Sequence, residues 1–383
     1  MYEVKSSTVL KDIYIHDLSY QYYVLKGLGL NIQKCSLIHI NSSYIRHGNL
    51  ELDKLFIIND VTNEIIKHQK EVTENIKDIN KYMQNKTEPI DDIDIKCFDP
   101  YPCPFFKYCT KHLPNPNVFN IANMYKSNKI KLYKQGIYEY KDLLKEDINE
   151  KYLQQIEYEL YQKEDYINKE NIKSFLKTLS FPLYFLDFET YQMPIPLYDD
   201  ISPYEQIPFQ YSIHYIEKEN GTLTHLEFLS ETGIDPRRKL AEKLVKDIPK
   251  NTTVLAYNMS FEKTVIKKLA KLYPDLSNHL MIIHDNIKDL MIPFKNRDYY
   301  AKKMHGSYSI KYVLPALFPN DETLNYKNLD LIHNGKEAMD SYNNLANLEE
   351  KEREHTKERL LRYCELDTFA MVKIYQKLMD VTK

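Results

Sequence analysis

FLDFET, residues 185–190, decides how this chain reads. It continues an apolar run that begins at Leu183, so a buried β-strand ending in acid is expected there. Side chains alternate faces along a strand. Asp187 and Glu189 therefore point the same way, while Phe188 turns into the core. Two carboxylates side by side repel unless a cation lies between them. Asp-x-Glu on its own is common, so its meaning depends on the acids that the rest of the chain brings to it.

Working outward, strands are expected at Gln210 to Tyr215, Leu223 to Leu229 and Thr253 to Ala256. Helices are expected over 261–272 and about 349–379. Strands first and alternating elements after them imply an α/β sheet of mixed strand direction. AYNMSFEKTVIKKLA, residues 256–270, runs from strand into helix and places Glu262 in the first helical turn. An acid there also suits the helix dipole. RYCELDTFAMVKIYQKL, residues 362–378, sets Tyr363 and Asp367 four apart on one helical face. The stripe Leu366, Ala370 and Ile374 would pack.

In order and spacing, these three segments resemble the DEDD exonucleases, the DnaQ-like branch of the RNase H-like fold. Tyr-x-x-x-Asp in the third marks the tyrosine subtype. The resemblance covers about 200 residues, from Pro182 to about Leu378. It implies that Asp187 bridges two metals, and that Glu189 and Asp367 hold the one activating water. It implies that Tyr363 orients that water and that Glu262 serves the second metal. Glu262 stands where the family usually has Asp, and its extra methylene shifts that metal or holds it through water. Such chemistry needs two divalent ions about 3.5–4 Å apart to stabilise attacking and leaving oxygens. Hard cations such as Mg²⁺ or Mn²⁺ want oxygen ligands, which explains carboxylates rather than His or Cys. GSYSIK, residues 306–311, offers Lys311 to backbone phosphate or simply to solvent. Asp285 and Asp289 read as structural.

Composition narrows the rest. The chain has 383 residues and only 8 glycines, about 2% against a usual ~7%. Gly-rich phosphate loops need glycines at fixed spacing, and no such set exists. Net charge is −3, so nucleic-acid contact must rest on local basic patches. No apolar run of about 18 residues suggests a membrane helix. The opening residues do not read as a signal peptide, so a cytoplasmic location is expected.

The first region, 1–112, opens in a strand. A helix is expected over 16–27, a strand over 37–40, and a long amphipathic helix with Ile65, Val72, Ile76, Ile79 and Met83 along its packed stripe. KCFDPYPCPFFKYC, residues 96–109, spaces Cys97, Cys103 and Cys109 evenly among prolines. Three thiols in so short a loop suggest a metal or cluster, with plain thiols as the alternative. Zinc would want four ligands, and His112 and Cys35 are available. Glu3 and Lys5 share one strand face, and Gln21 falls on the next helix. This order resembles the RecB-like PD-(D/E)XK nucleases with a cysteine-held iron–sulfur cluster. Their upstream Asp and upstream cysteine would precede Met1. The region is therefore expected to be partial, its remainder supplied upstream or by a separate chain.

Residues 113–178 read as a helical linker, with LYKQGIYEYKDLL (132–144) as a possible helix-hairpin-helix. The whole resembles an uncharacterised bacterial family that fuses a RecB-like nuclease to a C-terminal RNase H-like domain, here 179–383. The expectation is an α/β chain whose RNase H-like mixed sheet is flanked by helices. Its expected activity is that of a two-metal nuclease on DNA or RNA, cutting 3′ to 5′. The alternative is a nucleic-acid-binding protein of weak or absent catalysis, with a metal- or cluster-stabilised first region.

Overall fold

The computed structural model describes residues 1–88 and 91–383, which fall into two compact units. The first comprises Met1–Thr110 with Gln192–Glu205, the second Lys111–Tyr191 with Gln206–Lys383.

In the first unit, β1 (Tyr2–Lys5) lies parallel to β2 (Ser36–Ile40), and β2 is antiparallel to β3 (Phe56–Asp60). The helices are α1 (Asp12–Gly27), α2 (Leu52–Leu55), α3 (Thr62–Met83) and α4 (Phe106–Cys109). Ile15, Leu18 and Tyr22 of α1 pack with Leu37 and with Val61 and Ile65. The expected stripe of α3 is buried only at Ile65 and Val72. Ile79 and Met83 are 59% and 76% exposed, because the helix outruns the layer it packs on. Residues 192–205 leave the other unit's strand pair and belong to this one. Tyr204 packs with Ile40, Tyr44 and Leu55, and Arg46 donates to the carbonyls of Pro196 and Leu197.

The second unit begins with α5 (Lys126–Lys134), α6 (Tyr140–Leu143) and α7 (Glu150–Tyr161). Gly136, at φ 79°, supplies the left-handed turn between α5 and α6. Then come β4 (Tyr166–Ile167), α8 (Lys169–Leu176), β5 (Leu183–Tyr191), β6 (Ile207–Ile216) and β7 (Leu223–Leu229). The chain continues through α9 (Arg237–Asp247), β8 (Thr253–Ala256), α10 (Ser260–Leu272), α11 (Pro274–Asn286) and β9 (Ile287–Asp289). It closes with α12 (Ile292–Lys295), β10 (Tyr299–Tyr300), α13 (Ile310–Leu317), α14 (Gly335–Asn344) and α15 (Glu350–Thr382).

Five strands form a mixed sheet in the order β7-β6-β5-β8-β9. β6 runs antiparallel to both β5 and β7, while β5, β8 and β9 are parallel. One sheet face, with Tyr184, Leu186, Phe188 and Ile213, packs on α9, α10 and α11. The other, with Leu183 and Phe185, packs on α13 and on Leu366, Ala370, Met371 and Ile374 of α15. Tyr158 and Ile172 join that second core. Residues 113–178, expected as a helical linker, fall within the second unit.

Candidate functional site

β5 delivers Asp187 and Glu189 to the face that meets α15, and Phe188 to the opposite core. The pairing of β5 with β6 shifts register between Glu189 and Thr190, so the acids lie just before a bulge. Bulges redirect side chains at sheet ends. β8 ends at Ala256, and the chain turns through Asn258, at φ 68°, into α10. That turn is pinned by Asp289, whose carboxylate accepts the amides of Asn258 and Met291 at 3.0 Å each. Asp289 is therefore structural, as read from the sequence. Asp285 lies on the surface and meets His284.

Glu262 in the first turn of α10 is not the solvated acid that dipole complementation alone would give. It is 3% exposed, and its Oε2 is buried without a hydrogen-bond partner. On α15, Tyr363 and Asp367 share the face turned to β5. Asp367 accepts a 2.6 Å hydrogen bond from the Tyr326 hydroxyl. Glu189 lies at the start of α14, where a Cβ on Gly335 would stand 3.5 Å from Glu189 Oε2. Behind the acids, Gln210 of β6 donates to the Leu360 carbonyl at 2.8 Å. Thr368 Oγ1 meets Ser212 Oγ at 2.7 Å and His214 Nδ1 at 2.8 Å. These contacts seat α15 on the sheet.

The electrostatics are those of crowded, desolvated acids. Burial first, then the neighbouring charges of Asp367, Glu189 and Glu262, hold Asp187 well above the ordinary carboxylate range. Glu189 is raised well above it by burial and by Asp367. Burial lifts Glu262 to about 8. Burial raises Asp367 to about 6, and the hydroxyls of Tyr326 and Tyr363 and the charge of Lys311 hold it from going further. Burial and the same acids push the Tyr363 phenol up.

The structure thus gathers Asp187, Glu189, Glu262, Tyr363 and Asp367. The orphaned Glu262 oxygen and the hard-oxygen donor set fit divalent cations such as Mg²⁺ or Mn²⁺. A cavity of about 570 Å³ opens beside them, lined by Lys311, Leu314, Phe318, Tyr326, Tyr363 and Asp367. The sequence reading missed Tyr326, in a stretch without periodicity. It also missed Cys364, whose sulfur lies 3.9 Å from Asp187 Oδ2.

Elsewhere, Lys5 meets Glu3 at 2.8 Å and Asp17 at 2.5 Å, and Gln21 donates to Asp17 at 3.3 Å. Glu3, Lys5 and Gln21 are thus gathered around Asp17, an unforeseen member on the same helical face as Gln21. Asp17 first, then Glu3, raises the Lys5 ammonium. Cys97, Cys103 and Cys109 are half-buried, and they do not form one of the close-set groups of three potential ligands among the described residues. Cys35 is fully buried beside Leu37 and Ile65.

No helix among the described residues is long and apolar enough to cross a membrane. No curated protein and no solved structure matches the chain. Residues 184–309 match the model of a domain of unknown function, DUF2779, which takes in Asp187, Glu189 and Glu262 and stops before Tyr363 and Asp367.

Proposed function

We propose that this chain is a metal-dependent nuclease that hydrolyses phosphodiester bonds of DNA or RNA from the 3′ end, through its C-terminal unit. The observation that carries the reading is the set of acids from β5, α10 and α15, with Glu189 and Glu262 buried, Asp187 and Asp367 half-buried, and Glu262 Oε2 left unpartnered. A buried carboxyl without a partner stays protonated unless a cation compensates its charge, so such a set favours a bound cation over the bare ionised acids. The mixed sheet flanked by helices agrees in outline with the RNase H-like resemblance.

Asp187, Glu189, Glu262 and Asp367 would hold two divalent ions. When bound, such ions supply charge stabilisation at the attacking and leaving oxygens. The chain's own residues do the rest. Tyr363 presents its hydroxyl to the attacking water, and burial keeps that phenol protonated and a donor. Tyr326 fixes Asp367 by its hydrogen bond to Oδ1. Leu314 and Phe318 give the adjoining cavity apolar walls for a base, and Lys311 gives it a cation for a phosphate. No step is assigned to Cys97, Cys103 or Cys109, which form no close-set group of three potential ligands among the described residues.

Oligonucleotides labelled at the 5′ or 3′ end test the reading. With Mn²⁺ or Mg²⁺, the 3′ label leaves first as a mononucleotide. Loss of a metal ligand removes several kcal/mol of transition-state stabilisation, so D187N should slow release by about 100-fold or more. Equal release by D187N would end the proposal.

A further inference from the structure

YCELDT, residues 363–368, places a thiol between the two site residues of α15. Three residues before Asp367, Cys364 shares its helical face. It is fully buried, with Sγ 3.9 Å from Asp187 Oδ2 and 3.9 Å from the Asp187 carbonyl oxygen. Asp187, Glu189 and Cys364 each offer a ligand atom, all within 4.8 Å of one another. A second observation, on the neighbouring α10, bears on the same acids. Glu262 Oε2 is buried and unpartnered, and its charge bears on Asp187.

We propose that Asp187, Glu189 and Cys364 form a mixed oxygen–sulfur site that captures a thiophilic divalent cation of the Zn²⁺ or Cd²⁺ class, in competition with Mg²⁺ or Mn²⁺. The inference shares with the hydrolytic reading the use of Asp187 and Glu189 as ligands and the unpartnered Glu262 oxygen as the sign of a cation. Tetrahedral zinc with Zn–S near 2.3 Å and Zn–O near 2.1 Å sets sulfur and oxygen about 3.6 Å apart. The observed 3.9 Å needs to close by only a few tenths of an ångström. Thiolate selects soft and borderline metals, while carboxylates alone serve Mg²⁺ and Mn²⁺. On capture the metal–sulfur bond forms as the thiol proton leaves to solvent, and nothing is oxidised. An ion drawn toward the sulfur lies on the helix side of Asp187 and occupies its carboxylate. Zn²⁺ therefore acts as an inhibitor of the Mg²⁺-dependent reaction.

The full chain is titrated anaerobically with Cd²⁺, following the ultraviolet thiolate-to-cadmium band, in wild type, C364S and D187N. Because the other four cysteines also take Cd²⁺, the increment lost by C364S is the readout. The expected result is that C364S and D187N lose the same increment. Calorimetry should then show Cd²⁺ affinity at that site falling about 10–100-fold in C364S, with Mg²⁺ affinity changing by less than about threefold. A full band in C364S overturns the proposal. So does an unchanged band in D187N, which decides the matter if C364S fails to fold. Loss of the increment without any mononucleotide release sinks the hydrolytic reading and leaves this one. Release with an unaltered band does the reverse.

Discussion

Asp187 is half-buried beside Asp367, Glu189 and Glu262, and each of them raises the cost of its charge. Neutralising it should relieve that cost. D187N is expected to stabilise the metal-free protein by about 0.5–2 kcal/mol, as removal of a strained functional group commonly does. Urea unfolding in EDTA measures this, and a destabilised D187N would contradict the crowding argument. Tyr326 acts on Asp367 in the opposite sense, because its hydroxyl favours the ionised carboxylate. Y326F should therefore raise Asp367 above about 6 and move the acid limb of the pH–rate profile to higher pH. An unmoved limb would show that Tyr326 is only packing. The carboxylates and Tyr363 were legible in the sequence because each sits at a fixed place in its element: a strand end, a first helical turn, an i and i+4 pair. Tyr326 was not, because its role depends on a contact 41 residues away in an irregular segment.

At the scale of elements, the position of Asp367 depends on how α15 sits on β6. Thr368, the next residue, holds Ser212 and His214. T368V removes a hydroxyl and leaves those buried partners short of a hydrogen bond, at a cost of about 1–3 kcal/mol. We expect a lower melting temperature and a lower turnover at saturating metal. Wild-type turnover in T368V would mean that α15 is seated without this contact. The helix itself was plain in the sequence, since apolar residues recur along it and no Gly or Pro falls between 350 and 382. Its polar seat was not, because Gln210, Ser212 and His214 lie on a strand whose partners are about 150 residues away. The stripe on α3 shows the converse. Periodicity placed Ile79 and Met83 on a packed face, but burial needs a surface to pack on, and there the helix has outrun its layer.

For the whole molecule, local pattern does not signal how the chain is shared between the two units. Residues 192–205 belong to the first unit although both flanking strands belong to the second, a non-local choice that no spacing signals. The crowded acids leave a signature on overall stability. Asp367 at about 6 and Glu262 at about 8 lie above their unfolded values, so the folded state binds more protons. Their contribution is present at low pH and is lost as pH rises through those values. The metal-free protein should lose this part of its stability between about pH 4 and 8, and E262Q should flatten the slope. Mn²⁺ should raise the melting temperature more at pH 8 than at pH 5, because fewer protons must then leave the ligand carboxyls. A melting temperature indifferent to Mn²⁺ at pH 8 would contradict a cation site. Hydrolysis at that site is open to end-labelled oligonucleotide digestion with Mn²⁺, comparing wild type and D187N. Stepwise mononucleotide release from the 3′ end is expected, abolished by EDTA and slowed about 100-fold or more by D187N. Release that survives both EDTA and D187N, or no release from any DNA or RNA strand, would contradict it.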